Sequence, residues 1–249
     1  MSDVVTTELR GPILVITLNR PAVLNAINAE LAIQLLAALQ RLNDDPGVLV
    51  GVLTGSGRGF CSGMDLRQFQ THGTPPELAT ILKFTRVKPL VAAVEGFAVA
   101  GGLELALCCD LIIAGRGAKF GIPEVKVGQV AWLAISRLQR ALSRQAVAEM
   151  ALTGNLIDAD RAWELGLLTR LVEPGEALAS AIDMAEQISR NAPLSIAATL
   201  HLLDESHRGS DLEYANEAVR LSATLASAQD AIEGSEAFTE HREPQWKGC

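Results

Sequence analysis

Glu104 stands in "AGGLELALCCD", residues 100–110, as the only charge between a glycine pair and Asp110. A carboxylate in such apolar company costs several kcal/mol unless something compensates or neutralises it. Twenty residues on, "FGIPEVKVG" sets Glu124 after Pro123 among apolar neighbours. Two segments of small residues accompany these acids: "FCSGMD" at 60–65 and the pair Gly101-Gly102. Glycine lets a ligand approach the main chain closely. A helix opening at Gly101 leaves N–H groups unsatisfied, at a dipole end that favours negative charge. Two such amides converging on one carbonyl oxygen form an oxyanion hole. Two acids beside it suit proton movement at the carbons next to that carbonyl. Each feature alone has an ordinary reading: a first-turn glutamate, a loop acid, a tightly packed glycine pair.

Other chemistries fit less well. A dinucleotide fingerprint in "TGSGRGF" needs glycine at position 60, where the chain has Phe. A phosphate loop needs Gly-Lys-Ser/Thr, and a nucleophile elbow needs Gly-x-Ser-x-Gly; Ser62 is flanked by Phe60 and Met64. His72, His201, His207 and His241 form no metal-binding pattern, so no metal is expected. Cys61, Cys108, Cys109 and Cys249 match neither a zinc ribbon nor a redox pair and read as reduced thiols of a cytoplasmic protein. A net charge of −8 argues against nucleic acid as a partner. No uncharged apolar run reaches the length of a membrane span, and no signal peptide is evident.

The elements that must position these groups are legible in outline. Residues 4–10 and 13–20 read as strands joined at Gly11-Pro12, and Asn28 as the N-cap of a helix over 29–42. A turn at Asp45-Pro46-Gly47 precedes a buried strand at 48–55 and a glycine-dense loop. A helix near 76–86, a strand at 89–96, a helix at 101–109 and a strand at 110–115 follow. This order predicts an α/β layered fold over residues 1–190. Helical segments at 143–154, 158–167 and 175–190 follow, with no strand of note after "LLTRLVEP". Residues 191–249 read as a C-terminal helical segment, over 193–207 and 211–239, broken at Pro193 and Gly209.

Several stretches together resemble the enoyl-CoA hydratase/isomerase, or crotonase, superfamily. They are "NRPAVLNAIN" (19–28), "GVLTGSGRGFCSGMDL" (51–66), "KPLVAAVEGFAVAGGLELALCCDLIIAG" (88–115), "FGIPEVKVG" (120–128), "ALTGNLIDADRAWELGLLTRLVEP" (151–174) and "AQDAIEGSEAFTEHREPQWKG" (228–248). The resemblance implies a spiral core of ββα units with a C-terminal helical trimerisation region. It implies an acyl-CoA thioester as substrate, coenzyme A being part of that substrate rather than a separate cofactor. The amides of Met64 and Gly101 fall at the family's oxyanion hole, and Glu104 and Glu124 at the two acids of hydratases. Substrate contacts are then expected from Leu24, Arg58, Phe60, Ser62, Gly63, Asp65, Leu66, Arg67, Gly102, Pro123 and Trp132. The implied reaction is hydration of a trans-2-enoyl-CoA, with water held by the two acids and Glu124 delivering the proton at C2.

The chain departs from the family where "VGQVAWLAISRL" replaces a Pro- and Gly-rich turn, so Gln129 to Leu133 are bulkier along the path of the acyl tail. Trp132 reads equally as pocket wall and as core. The nearest alternative is Δ3-Δ2 enoyl-CoA isomerisation, which needs one acid; the second acid favours hydration. A non-catalytic acyl-CoA- or RNA-binding scaffold is disfavoured by the two acids and by the charge. Apolar residues in the last helices must cover the chain's own core, a neighbour or both; the resemblance favours a homo-trimer or hexamer, with Arg242 and Lys247 reaching the CoA phosphates of the same or an adjacent subunit.

Overall fold

The computed structural model describes residues 3–206 and 211–249; the side chains of Trp132, Asp211 and Leu212 lie outside that description, as does the expected break at Gly209. Strands β1 (Val5–Arg10) and β2 (Ile13–Leu18) form the expected antiparallel hairpin. Strands β3 (Val50–Gly55), β4 (Leu90–Val94), β6 (Leu111–Gly115) and β9 (Arg170–Val172) extend the sheet in parallel, in the order β1-β2-β3-β4-β6-β9. A smaller sheet joins β5 (Phe97–Val99), β7 (Lys119–Gly121) and β8 (Ile157–Asp158) in the order β5-β7-β8.

Alternation along the central strands splits their side chains between two cores. Leu14, Ile16, Leu53, Ala92 and Val94 face one core; Ile13, Val15, Val52, Val91 and Ala93 face the other. A parallel sheet buried on both faces reads as continuous apolar runs, as these strands do. Helix α1 (Ala29–Asp44) covers the first face with Leu31, Leu35, Leu39 and Leu42, spaced by three and four residues. Each buried leucine contributes about 1.5–3 kcal/mol. Asn28 caps α1 as expected, its side chain accepting from Leu31 N at 2.9 Å. Helix α8 (Ala177–Ser189) covers the other face with Ala177, Ala181 and Ala185.

The remaining helices are α2 (Leu66–His72), α3 (Pro76–Leu82), α4 (Gly101–Ala106), α5 (Trp132–Ala141), α6 (Arg144–Thr153), α7 (Ala159–Glu164), α9 (Pro193–Glu205), α10 (Asp211–Ala226) and α11 (Gln229–Glu240). Several bounds differ from the sequence reading. Helix α4 ends at Ala106, and α3 ends at Leu82. The stretch expected as one helix over 211–239 is broken between Ala226 and Gln229, where Ala228 takes an extended conformation. Helix α2 lies just beyond the glycine-dense loop, and a short strand, β9, lies within "LLTRLVEP".

Successive turns of the chain stack as a spiral. Strand β4 leads to β5 and then α4; β6 leads to β7 and then a 3-10 turn at Pro123–Val127. One turn earlier, single bridges tie Cys61 to Ala98 and Ile27 to Met64. The spiral therefore lays residues 27, 64 and 101 side by side.

Candidate active site

The loop carrying Met64 is held by three backbone bonds to the segment at 24–27. Ser62 N donates to Leu24 O at 3.0 Å, Ile27 N to Gly63 O at 2.7 Å, and Asp65 N to Ile27 O at 2.9 Å. These bonds alternate along the loop, so the Met64 N–H points away from residue 27. Gly63, at φ +97, supplies a conformation that side-chain-bearing residues rarely adopt; a Cβ there would stand 2.8 Å from Ala100 Cβ.

Buried Asn25 is the hub beneath this loop. Its side-chain nitrogen donates to Gly59 O at 2.8 Å, Ser56 O at 3.0 Å and Phe60 O at 3.1 Å, and its oxygen accepts from Arg20 N at 2.8 Å. Leu24 and Asn25 both lie at positive φ, 51 and 56. Arg20 in turn donates to Ala26 O and pairs with Asp65 at 3.1 Å.

Helix α4 opens against the same loop. A Cβ on Gly102 would meet Cys61 O at 2.1 Å, so only glycine permits this approach. Ala100, at φ 52 and ψ −128, precedes the helix in a strained conformation, and its N–H donates to Gly121 O at 2.8 Å. That strained turn aims the Gly101 N–H past the helix end. An ideal Cβ on Gly101 would stand 3.8 Å from Met64 N, which places the two amides together. Among the described residues neither N–H has a protein acceptor.

The Ala100–Gly121 bond also ties the start of α4 to the end of β7, and this juxtaposes the acids. Glu104 lies one turn into α4, 9 % exposed, and its Oε1 accepts from Ala134 N of α5 at 3.2 Å. Glu124 follows Pro123 in the 3-10 turn, with buried Ile122 anchoring the chain before it. Its Oε2 is enclosed and has no hydrogen-bond partner among the described residues. Burial pushes the Glu104 carboxyl above the ordinary value, opposed by the Ala134 N–H and the charge of Arg137. Burial also raises Glu124, and the charge of Glu104 raises it further. Two carboxyls both raised by burial, one of them further by the charge of the other, favour a state in which one holds a proton, the condition for an acid working beside a base. Cys61 is wholly buried, and that burial pushes its thiol up to about 12.

The structure brings Met64, Gly101, Glu104 and Glu124 together and sorts the expected substrate contacts. Arg58, Leu66 and Arg67 are exposed; Leu24, Ser62 and Pro123 are half-buried beside the loop and the acid turn. Gly63 serves the loop through its backbone. Three of the expected residues have their side chains or Cα positions engaged within the protein. Phe60 is completely buried in the core, Gly102 is packed on the Cys61 carbonyl, and the Asp65 carboxylate is taken by Arg20. These three help to hold the loop and helix that carry the amides. Trp132 opens α5, and its side chain lies outside the described residues. Sequence reasoning did not single out Ala134, whose contribution is a backbone N–H, nor Arg20, Asn25 and Ala100. The asparagine in "NRPAVLN" was the available signal for the hub.

The family model for enoyl-CoA hydratase/isomerase matches residues 8–249. An enoyl-CoA hydratase of Mycobacterium tuberculosis, EchA19, is 36% identical over 254 residues, spanning 96% of this chain and 95% of its own. A 2,3-dehydroadipyl-CoA hydratase of Escherichia coli is 33% identical over 256 residues, the whole of both chains. The crystal structure of an enoyl-CoA hydratase from Mycobacterium tuberculosis superposes with a TM-score of 0.94 at 42% identity, covering 100% of each chain. The chain belongs to the enoyl-CoA hydratase/isomerase family, in the crotonase superfamily.

Proposed function

We propose that this enzyme is a hydro-lyase that adds water across the 2,3 double bond of a trans-2-enoyl-CoA. The observation that carries the reading is the meeting of two carboxyls, one with an unpartnered oxygen, beside two N–H groups without acceptors. Glu104 and Glu124 hold one water. Its oxygen adds at C3, one of its protons passes to the acid pair, and Glu124 delivers a proton at C2. The amides of Met64 and Gly101 hold the charge that develops on the thioester oxygen. Acid–base catalysis of this kind contributes about 10²–10⁴-fold, so the oxyanion hole and substrate positioning supply much of the rest.

Coenzyme A enters as part of the substrate. Isomerisation of a 3-enoyl-CoA uses one acid; Glu104, fixed by Ala134 N, supports hydration instead. We assign residues 191–249 to assembly as a homo-trimer or hexamer. Leu203, Val219, Ile232 and Phe238, the last 84 % exposed, leave apolar surface uncovered on α9, α10 and α11. Arg242 is less free to reach a CoA phosphate than its sequence position suggested, because Glu233 and Glu240 each bind it at 2.6 Å. Lys247 is exposed and keeps that role in our reading. Cytoplasmic residence fits the four free thiols, and among the described residues no helix is long and apolar enough to cross a membrane.

Product analysis over matched 2-enoyl- and 3-enoyl-CoA thioesters tests the assignment. A 3-hydroxyacyl-CoA formed from the 2-enoyl series is expected. Turnover of the 3-enoyl series alone, giving 2-enoyl products without hydration, would overturn it.

A further inference from the structure

A cavity of about 350 Å³ lies between the C-terminal ends of α3 and α4 and the side of α5, with Leu200 and Asp204 of α9 lining it as well. It shares two helical faces with the catalytic site. Leu107 and Cys108, which line it, follow Glu104 by three and four residues, and Cys108 N donates to Glu104 O at 3.1 Å. Arg137, also in its wall, follows Ala134 by three. Residues so spaced lie on one face, a turn or about 5.4 Å apart. The cavity therefore begins one helical turn from Glu104.

Its lining is cationic. Lys83, Arg86, Arg137 and Arg140 face two carboxylates, Asp110 and Asp204. Two of the cations are committed. Arg86 grips Asp110 through two bonds, at 2.7 and 2.8 Å. Arg137 donates to Leu107 O at 2.7 Å and to Leu82 O at 2.8 Å, which also fixes α5 against α4 and α3. Arg140 and Lys83 have no ion-pair partner among the described residues. Both are exposed at the rim, as is Asp204 across from them, so a methyl-ended chain could bury itself on Leu107, Leu133 and Leu200 but would make no use of the two cations. A carboxylate at the rim would find cations not already held by a protein carboxylate.

We propose that the cavity receives the far end of the acyl group and selects a thioester whose chain ends in a carboxylate; the proposal rests on the acyl-CoA reading above. The test is calorimetric binding of saturated acyl-CoA thioesters of six and eight carbons, each ending in either a methyl or a carboxylate. The carboxylate-ended member of at least one pair is expected to bind about tenfold more tightly or better, the worth of one charge-assisted hydrogen bond. Arg140→Gln with Lys83→Gln should shrink that preference to about threefold or less, and Arg140→Glu should reverse it. Equal affinities within both pairs, or a preference that survives both variants, would overturn the proposal. Saturated thioesters cannot be hydrated, so failure of the hydratase reading would appear separately, as absent turnover of crotonyl-CoA.

Discussion

Gly102→Ala adds one methyl group at the seam between the two amides to which we assign the oxyanion. The new Cβ would stand 2.1 Å from the Cys61 carbonyl oxygen, whereas ordinary contact begins near 3.4 Å; the partners must separate by about 1.3 Å, the difference between those distances. The obstacle is backbone, not the end of a flexible side chain. The Cys61 carbonyl also accepts from Val99 N at 3.1 Å, so its retreat strains the bridge to β5. Met64 lies three residues along the same loop. A displacement of about 1 Å in a catalytic group costs roughly 100-fold, and loss of one oxyanion donor costs about 10²–10³-fold in kcat. We expect kcat for crotonyl-CoA to fall about 100-fold. Overpacking of this kind costs about 1–3 kcal/mol, and each kcal/mol lowers Tm by about 2–4 °C in a chain of this size. Gly117→Ala is the control, since a Cβ there meets nothing within 4 Å; its kcat and Tm should match the parent. Circular dichroism and thermal melts establish folding, and initial rates give kcat. A folded Gly102→Ala variant with kcat within about threefold of the parent would refute the claim that this contact sets the donor geometry.

Gly101→Pro removes one oxyanion donor, because proline has no N–H, and should abolish most activity, whereas Met64→Ala keeps its amide and should be far milder; equal losses in steady-state kinetics would show that the Met64 side chain matters. Asn28→Ala should lower Tm by about 2–4 °C through loss of roughly 1 kcal/mol of capping at α1, with kcat unchanged; a melt at the parent Tm would contradict that. Burial holds Glu104 and Glu124 above their unfolded values, so the native state keeps protons that the unfolded chain has lost, and stability falls as pH climbs from the ordinary carboxylate range through the raised values. The double variant Glu104→Gln/Glu124→Gln should flatten the Tm–pH curve in that window, and an unchanged slope would mean the two acids are not the groups responsible. Light scattering should find trimers or hexamers at micromolar concentration; a fully active monomer would remove the assembly role given to residues 191–249.

What the sequence made legible was local. The Gly11 turn, the Asn28 cap, the Asp45-Pro46-Gly47 turn and the apolar runs of β3, β4 and β6 each announce themselves within a few residues. The three-residue strands β5 and β7 are too short to show a period of two, and they exist because neighbouring turns of the spiral pair with them. Glu104 and Glu124 stood out because charge in apolar company is conspicuous. The groups that place them did not: the Ala134 N–H that binds Glu104 and the Gly121 carbonyl that accepts from Ala100 are backbone groups, which every residue carries. The strain at Ala100 was equally silent, since alanine gives no hint of positive φ. Phe60, Gly102 and Asp65 lie beside the amides in sequence, yet Phe60 fills the core, Gly102 packs on the Cys61 carbonyl and Asp65 pairs with Arg20, none of which the sequence announces.

The central claim is that the enclosed carboxyl of Glu124 moves the proton. Glu124→Gln keeps the shape of the side chain and removes its acid. The loss of enoyl-thioester absorbance on mixing with crotonyl-CoA reports hydration directly, and calorimetry with a saturated acyl-CoA reports binding. A rate at least about 100-fold below the parent, with acyl-CoA affinity preserved, is the predicted result. A variant that retains more than about a tenth of the parent rate would contradict the account.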